Sequence, residues 1–181
     1  MNVPNVLTVL RILLVPVLVV ALLDEAENAD VFAATVFALA SITDFVDGWL
    51  ARSQGAVTPF GKVMDPIADK LLVIAALVSL VSLERLAAWV AMVIIARELA
   101  VTVARAQATE VIAAAQLGKV KTVVQVAAIF FVILFDPTPV WVDALVYAAV
   151  AVTVVSGLTF FLDLGRRQRA PVESSHSRID V

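Results

Sequence analysis

Apolar residues run along this chain in long blocks, not in alternation. Six blocks stand out, at about 4–23, 31–52, 61–83, 86–108, 117–135 and 140–162. Each approaches the roughly 20 residues that a helix needs to cross a bilayer. Short polar breaks separate them. Asp24, Glu25, Glu27 and Asp30 fall in the first break, Glu84 and Arg85 between the third and fourth blocks. Asp136-Pro137-Thr138-Pro139 stops the chain before the sixth, because proline cannot donate a helical hydrogen bond. Strict alternation, the mark of a membrane β-barrel, is absent. The pattern predicts an all-α polytopic membrane protein with six transmembrane helices, built as one domain over 1–164. A polar cytoplasmic tail over 165–181, GRRQRAPVESSHSRIDV, is expected to be disordered or loosely surface-bound.

Composition agrees. Of 181 residues, 62% are hydrophobic, against about 45–50% in a soluble domain, and mean hydropathy is +1.01. The net charge of −3 comes with no basic run interleaved with aromatics, so no nucleic-acid partner is expected. With no cysteine, disulfides, thiolate catalysis and cysteine zinc sites are excluded. The N-terminus MNVPNVLTVLR lacks a cationic lead and a small-residue cleavage site, so the first block is expected to remain in the mature protein.

Charge sets an orientation. With the N-terminus in the cytoplasm, Arg52, Lys62, Lys119, Lys121, Arg166, Arg167 and Arg169 all lie at cytoplasmic ends, and only Arg85 lies outside. That gives an N-in, C-in topology in a bacterial-type plasma membrane. Trp89 and Trp141 then lie near the outer face, where indoles anchor. Segments 12–23, 31–43, 71–83 and 86–96 carry no charge, but each is only about a dozen residues, about 18 Å of helix. A hydrocarbon core is about 30 Å thick. Each crossing must therefore take in its polar end, which predicts a dry outer half and a polar cavity open to the cytoplasm.

The chemistry concentrates in 44–69, DFVDGWLARSQGAVTPFGKVMDPIAD, a pattern D-x2-D-G-x2-A-R-x8-G-x3-D-x3-D. Asp44 and Asp47 are three apart, Asp65 and Asp69 four apart, so each pair shares a helix face. The short intervening loop predicts antiparallel neighbours whose acidic faces meet. Carboxylates are costly beside lipid, so four of them mark a site. Hard cations such as Mg²⁺ or Mn²⁺ take oxygen ligands of this kind, and two ions can neutralise a pyrophosphate during in-line displacement at phosphorus. Gly48 and Ala51 keep one face low, Arg52 offers a planar donor for phosphate, and Gly61 permits close packing or a bend. Thr58-Pro59 predicts a helix start, with Pro66 kinking the helix that follows. The bland alternative, helix caps and interfacial ion pairs with Arg52, Lys62 and Lys70, suits one aspartate better than four.

The stretch matches without departure the signature of CDP-alcohol phosphatidyltransferases, and the chain resembles that family. The resemblance implies six transmembrane helices, a cytoplasmic active site, divalent metal and a homodimer. It also implies transfer of a phosphatidyl group from CDP-diacylglycerol to an alcohol, with release of CMP. Asp44, Asp47 and Asp65 would be metal ligands, and Asp69 would complete the site or serve as the catalytic base. Gly48, Ala51 and Arg52 would lie along the cytidine diphosphate, with Gly61, Asn5 and Thr8 as further contacts to the CDP-lipid.

The acceptor is read from the remaining polar residues. Arg97 and Glu98 interrupt the fourth block, with Thr102 and Arg105 following; the fifth opens with Lys119, Lys121, Thr122 and Gln125; the first carries Asn5, Thr8 and Arg11. Several cations beyond Arg52 fit an anionic acceptor. Glu98 pairing with Arg97 or Arg105 as helix glue, with the lysines at the interface, is the structural alternative. PNVLTVLR, ARELAVTVAR, GKVKTVVQ and TVVSG resemble the phosphatidylglycerophosphate synthases within the family. That implies sn-glycerol 3-phosphate as acceptor, with Arg97, Arg105, Lys119 and Lys121 as candidates for its phosphate. The rivals are another acceptor (an inositol phosphate, phosphatidylglycerol or serine) and, in a different class, a cation carrier.

Overall fold

The computed structural model describes the backbone of residues 3–54, 59–107 and 116–169, and side chains within 9–43, 67–68, 70–105 and 118–166. All the regular structure in these residues is helical. Six helices follow in order: α1 (Val3–Leu23), α2 (Ala29–Gln54), α3 (Pro59–Ser82), α4 (Ala88–Gln107), α5 (Gln116–Leu134) and α6 (Val140–Arg169). Their limits lie where the sequence punctuates. Asp24 Oδ1 accepts from the Ala26 amide at 3.2 Å, turning the chain before α2. Asp30 in the first turn of α2 and Asp143 in that of α6 complement the helix dipoles. α3 begins at Pro59 and runs unbroken past Pro66.

The end of α3 explains how one loop clamps three. Glu84 sits at φ 58°, in the left-handed region. Its amide donates to Val81 O at 3.1 Å, and the Arg85 amide reaches back to Leu80 O at 3.0 Å. This is the Schellman closure, with glutamate where glycine is usual. It projects Arg85 so that Nη1 lies 2.6 Å from Asp30 Oδ1 and Nη2 2.9 Å from Asp136 Oδ2. Connections 24–28, 83–87 and 135–139 are therefore tied at one end of the bundle. Burial of Arg85 works to lower its pKa, but the hydrogen bonds and charges of Asp30 and Asp136 outweigh it and hold the guanidinium above its ordinary value.

Beneath this clamp lies a dry core containing Leu18, Phe37, Leu77, Leu80, Ile133 and Val142. Alanines 21, 33, 34, 40, 76, 91, 128 and 149 are buried among them and let the helices approach closely. Apart from Ser79, the buried polar residues Arg11, Lys121, Gln125, Thr153 and Ser156 lie two or more helical turns away from the clamped ends of their helices. Outward faces are apolar, with Leu13, Val20, Phe32, Leu39, Met92, Val123 and Leu162 among the exposed side chains. An exposed apolar surface this extensive needs a non-aqueous neighbour.

Three expectations are adjusted. Among the described residues, α1 packs extensively on both α2 and α3, whereas α2 and α3 meet only sparsely. The first helix thus lies against both helices of the acidic hairpin. Second, α6 continues to Arg169, so the first five residues of the supposed tail are helical; Arg and Gln are good helix formers and nothing in GRRQR stops the preceding helix. Third, among the described residues one helix, Val140–Arg166, is by itself long and apolar enough to cross a membrane, with mean hydropathy 2.2. Val9–Leu23, Ala29–Thr43 and Lys70–Ser82 are shorter apolar runs.

Candidate active site

The four aspartates fall on continuous helix. Asp44 stands ten residues before the end of α2 and Asp69 ten residues after the start of α3. Asp47 and Asp65 lie seven and six residues from the same ends. At 1.5 Å per residue, the outer pair is about 15 Å and the inner pair about 10 Å from the α2–α3 junction. The four positions thus match in distance from the ends of their helices, and the donor chemistry of four carboxylates suits the hard divalent ion that the resemblance implies. The side chains of Asp44, Asp47, Asp65 and Asp69 lie outside the described ones, as do those of Asn5, Thr8, Gly48, Ala51, Arg52 and Gly61. Among the described residues, no group of three or more metal-ligating side chains gathers.

The described part of the site lies alongside, on α3, α4, α5 and α6. Lys70, directly after Asp69, lines a cavity of about 40 Å³ together with Glu98, Lys121, Thr122, Gln125 and apolar residues of α3 to α5. Glu98 is the hub. Its Oε1 accepts from Lys121 Nζ and lies 3.4 Å from Arg97 Nη1. The second distance is long for a hydrogen bond, so that contact is mainly Coulombic. Lys121 is only 4% exposed. Thr102 Oγ1 donates to the Glu98 carbonyl at 2.7 Å, one turn back along α4.

Arg97 is seated by α6. Its Nη2 donates to Ser156 Oγ at 2.9 Å, and Ser156 in turn donates to Thr153 O at 3.1 Å. That second bond directs the serine proton away and leaves its lone pairs for the guanidinium. Gly157 completes the seat: a Cβ there would stand 3.1 Å from Arg97 Cγ and 3.6 Å from Nε.

Of the four acceptor-phosphate candidates, the structure brings Arg97 and Lys121 together through Glu98. Arg105 is placed differently, with its guanidinium carbon 5.3 Å above the Phe160 ring. Lys119 is exposed. The sequence left Glu98 a choice between Arg97 and Arg105; it takes Arg97 and Lys121. Gln125, Ser156 and Gly157 were not among the predicted site residues. Gln125 carried a signal in its spacing of four from Lys121, and Ser156 and Gly157 close the TVVSG stretch that formed part of the resemblance.

The CDP-alcohol phosphatidyltransferase family profile matches residues 1–155. The chain belongs to the CDP-alcohol phosphatidyltransferase family. It is 42% identical over 180 residues to the CDP-diacylglycerol–glycerol-3-phosphate 3-phosphatidyltransferase of Bacillus subtilis (strain 168), covering 88% of this chain and 93% of that one. A probable phosphatidylglycerophosphate synthase of Mycobacterium tuberculosis (strain H37Rv) is 43% identical over 166 residues, covering 88% and 79%. The Rickettsia felis protein named CDP-diacylglycerol–glycerol-3-phosphate 3-phosphatidyltransferase is 35% identical over 169 residues, covering 88% and 93%.

Proposed function

We propose that this chain transfers the phosphatidyl group of CDP-diacylglycerol to sn-glycerol 3-phosphate, giving phosphatidylglycerophosphate and CMP. The observation that carries the proposal is the meeting of Arg97 and Lys121 on Glu98, beside a cavity whose α3 wall directly follows Asp69. A buried lysine and a partly buried arginine there suit an acceptor that brings its own phosphate. The names of the relatives support the same acceptor.

The bundle spans the membrane six times, N-in and C-in, with the aspartate helices and the cavity on the cytoplasmic side. The apolar outward faces, the lysine and arginine distribution and the dry core under the Arg85 clamp support this arrangement. The chain acts as a homodimer, as the family resemblance implies. Mg²⁺ or Mn²⁺, as two ions on Asp44, Asp47, Asp65 and Asp69, supplies electrostatic neutralisation of the pyrophosphate.

In the proposed reaction, Arg52, with Gly48 and Ala51, binds the cytidine diphosphate while the acyl chains stay in lipid. Gly61, Asn5 and Thr8 add contacts to the same substrate. Arg97 and Lys121 hold the acceptor phosphate, and Glu98 orients both cations. Asp69 takes the proton from the primary hydroxyl. The oxygen attacks the lipid-side phosphorus, a new P–O bond forms, and the bond to CMP breaks.

Purified protein in detergent, supplied with CDP-diacylglycerol, Mg²⁺ and a panel of acceptors, tests this. CMP release with phosphatidylglycerophosphate formed from glycerol 3-phosphate is expected. Turnover only with an inositol phosphate, phosphatidylglycerol or serine overturns the acceptor; no CMP release with any alcohol overturns the transferase. A cation carrier fits less well, because the described core under the clamp contains, apart from Ser79, no buried polar side chain to pass an ion.

A further inference from the structure

Arg97 Nε, Gln125 Oε1 and Thr153 Oγ1 are buried polar atoms without a hydrogen-bond partner among the described residues. Leaving such an atom unsatisfied forfeits the hydrogen bond that water would have given it. Of the three residues, only Gln125 lines the cavity shared by Lys70, Glu98 and Lys121. It is 3% exposed. It also borders the apolar space above, between Leu77, Leu80, Ile129 and Val146, so it marks the boundary between dry core and polar site.

An amide pairs with a hydroxyl in both directions, its oxygen accepting and its nitrogen donating. A phosphate dianion has no proton to give, so the orphaned oxygen selects against phosphate and for a neutral donor. Gln125 lies one helical turn beyond Lys121 on α5, the spacing at which side chains are neighbours. In glycerol 3-phosphate the middle carbon is three bonds from phosphorus and carries the hydroxyl that does not react. Phosphate held at Lys121 and Arg97 therefore brings that hydroxyl toward Gln125.

We propose that Gln125 is a specificity-determining residue that reads the non-reacting secondary hydroxyl of the acceptor. This rests on the glycerol 3-phosphate reading above. It adds a contact that the aspartates and cations do not supply, because they recognise charge and the reacting oxygen only. A site that hydrogen-bonds a hydroxyl discriminates against the analogue lacking it, since its own polar group is then left unpaired.

The test compares glycerol 3-phosphate with 3-hydroxypropyl phosphate, which keeps the phosphate and the primary hydroxyl but lacks the secondary one. Wild-type enzyme is expected to favour glycerol 3-phosphate by about tenfold in kcat/KM, the effect of one hydrogen bond. Gln125→Leu is expected to bring the ratio to within about threefold of unity, by loss on glycerol 3-phosphate alone. Gln125→Met, closer in length, repeats the measurement if the leucine variant does not fold. An unchanged ratio in a folded variant, an equal loss on both acceptors, or no wild-type preference overturns the proposal. A wild-type enzyme that uses neither phosphate acceptor but turns over another alcohol overturns the proposed function, and the Gln125 assignment with it.

Discussion

Removing the Arg85 side chain tests how the bundle is closed at its dry end. Arg85→Ala deletes two contacts of unequal worth. The one to Asp30 is 2.6 Å long, between side chains 15% and 32% exposed. A charge-assisted hydrogen bond in such a place contributes about 1.5–3 kcal/mol. The one to Asp136, whose side chain is 50% exposed, is screened and contributes about 0.2–1 kcal/mol. The expected loss is about 2–3 kcal/mol, with Asp30→Ala costing most of it and Asp136→Ala little. Reversible unfolding by SDS in mixed micelles, followed by helical circular dichroism, measures each variant. A double-mutant cycle isolates the pair and should give a coupling of about 1.5–2 kcal/mol for Arg85 with Asp30. Burial works against the Arg85 charge, but its two acidic partners raise its pKa overall. Its contribution is therefore complete below the unfolded value and fades only as pH rises through the still higher folded one, both far above neutrality, so the Arg85→Ala penalty should not vary between about pH 6 and 9 through arginine deprotonation. A coupling below about 0.3 kcal/mol would refute the clamp.

Glu84→Gly should stabilise the protein by about 1 kcal/mol in the same unfolding assay, because glycine adopts the φ of 58° without Cβ strain; a loss of stability contradicts this. Gly157→Ala should raise the KM for glycerol 3-phosphate about three- to tenfold while leaving that for CDP-diacylglycerol unchanged. Its Cβ at 3.1 Å displaces Arg97, whereas the helix itself gains about 1 kcal/mol in propensity. Equal changes in both KM values would place Arg97 outside the acceptor site. Asp69→Asn should keep the melting temperature and lower kcat by about 10²–10⁴-fold, the usual contribution of a general base; wild-type turnover removes that role.

Helix limits were legible because proline and charge punctuate an otherwise apolar text: α3 starts at Pro59, and α6 starts directly after Pro139. Packing partners were not. Apolar side chains cover lipid-facing and protein-facing sides alike, so no stripe told α3 to lie along α1. The cationic candidates were legible as types, but their sorting depended on distant neighbours. Lys121 joined Glu98 from 23 residues away, while Phe160 claimed Arg105. Gly157 was legible as the end of the TVVSG stretch, but not as the seat of an arginine 60 residues earlier in the chain.

The length of α6 has a mechanical consequence. Its 30 residues extend about 45 Å, roughly 15 Å more than the thickness of a bilayer's hydrocarbon core. Because α6 begins at the clamped end, the surplus lies toward the opposite end of the helix as a stiff mast. The basic positions 166, 167 and 169 are thereby carried at a fixed height, and their backbone cannot curl back to quench the acidic centre as a loose tail could. Anionic headgroups are what such a mast meets first.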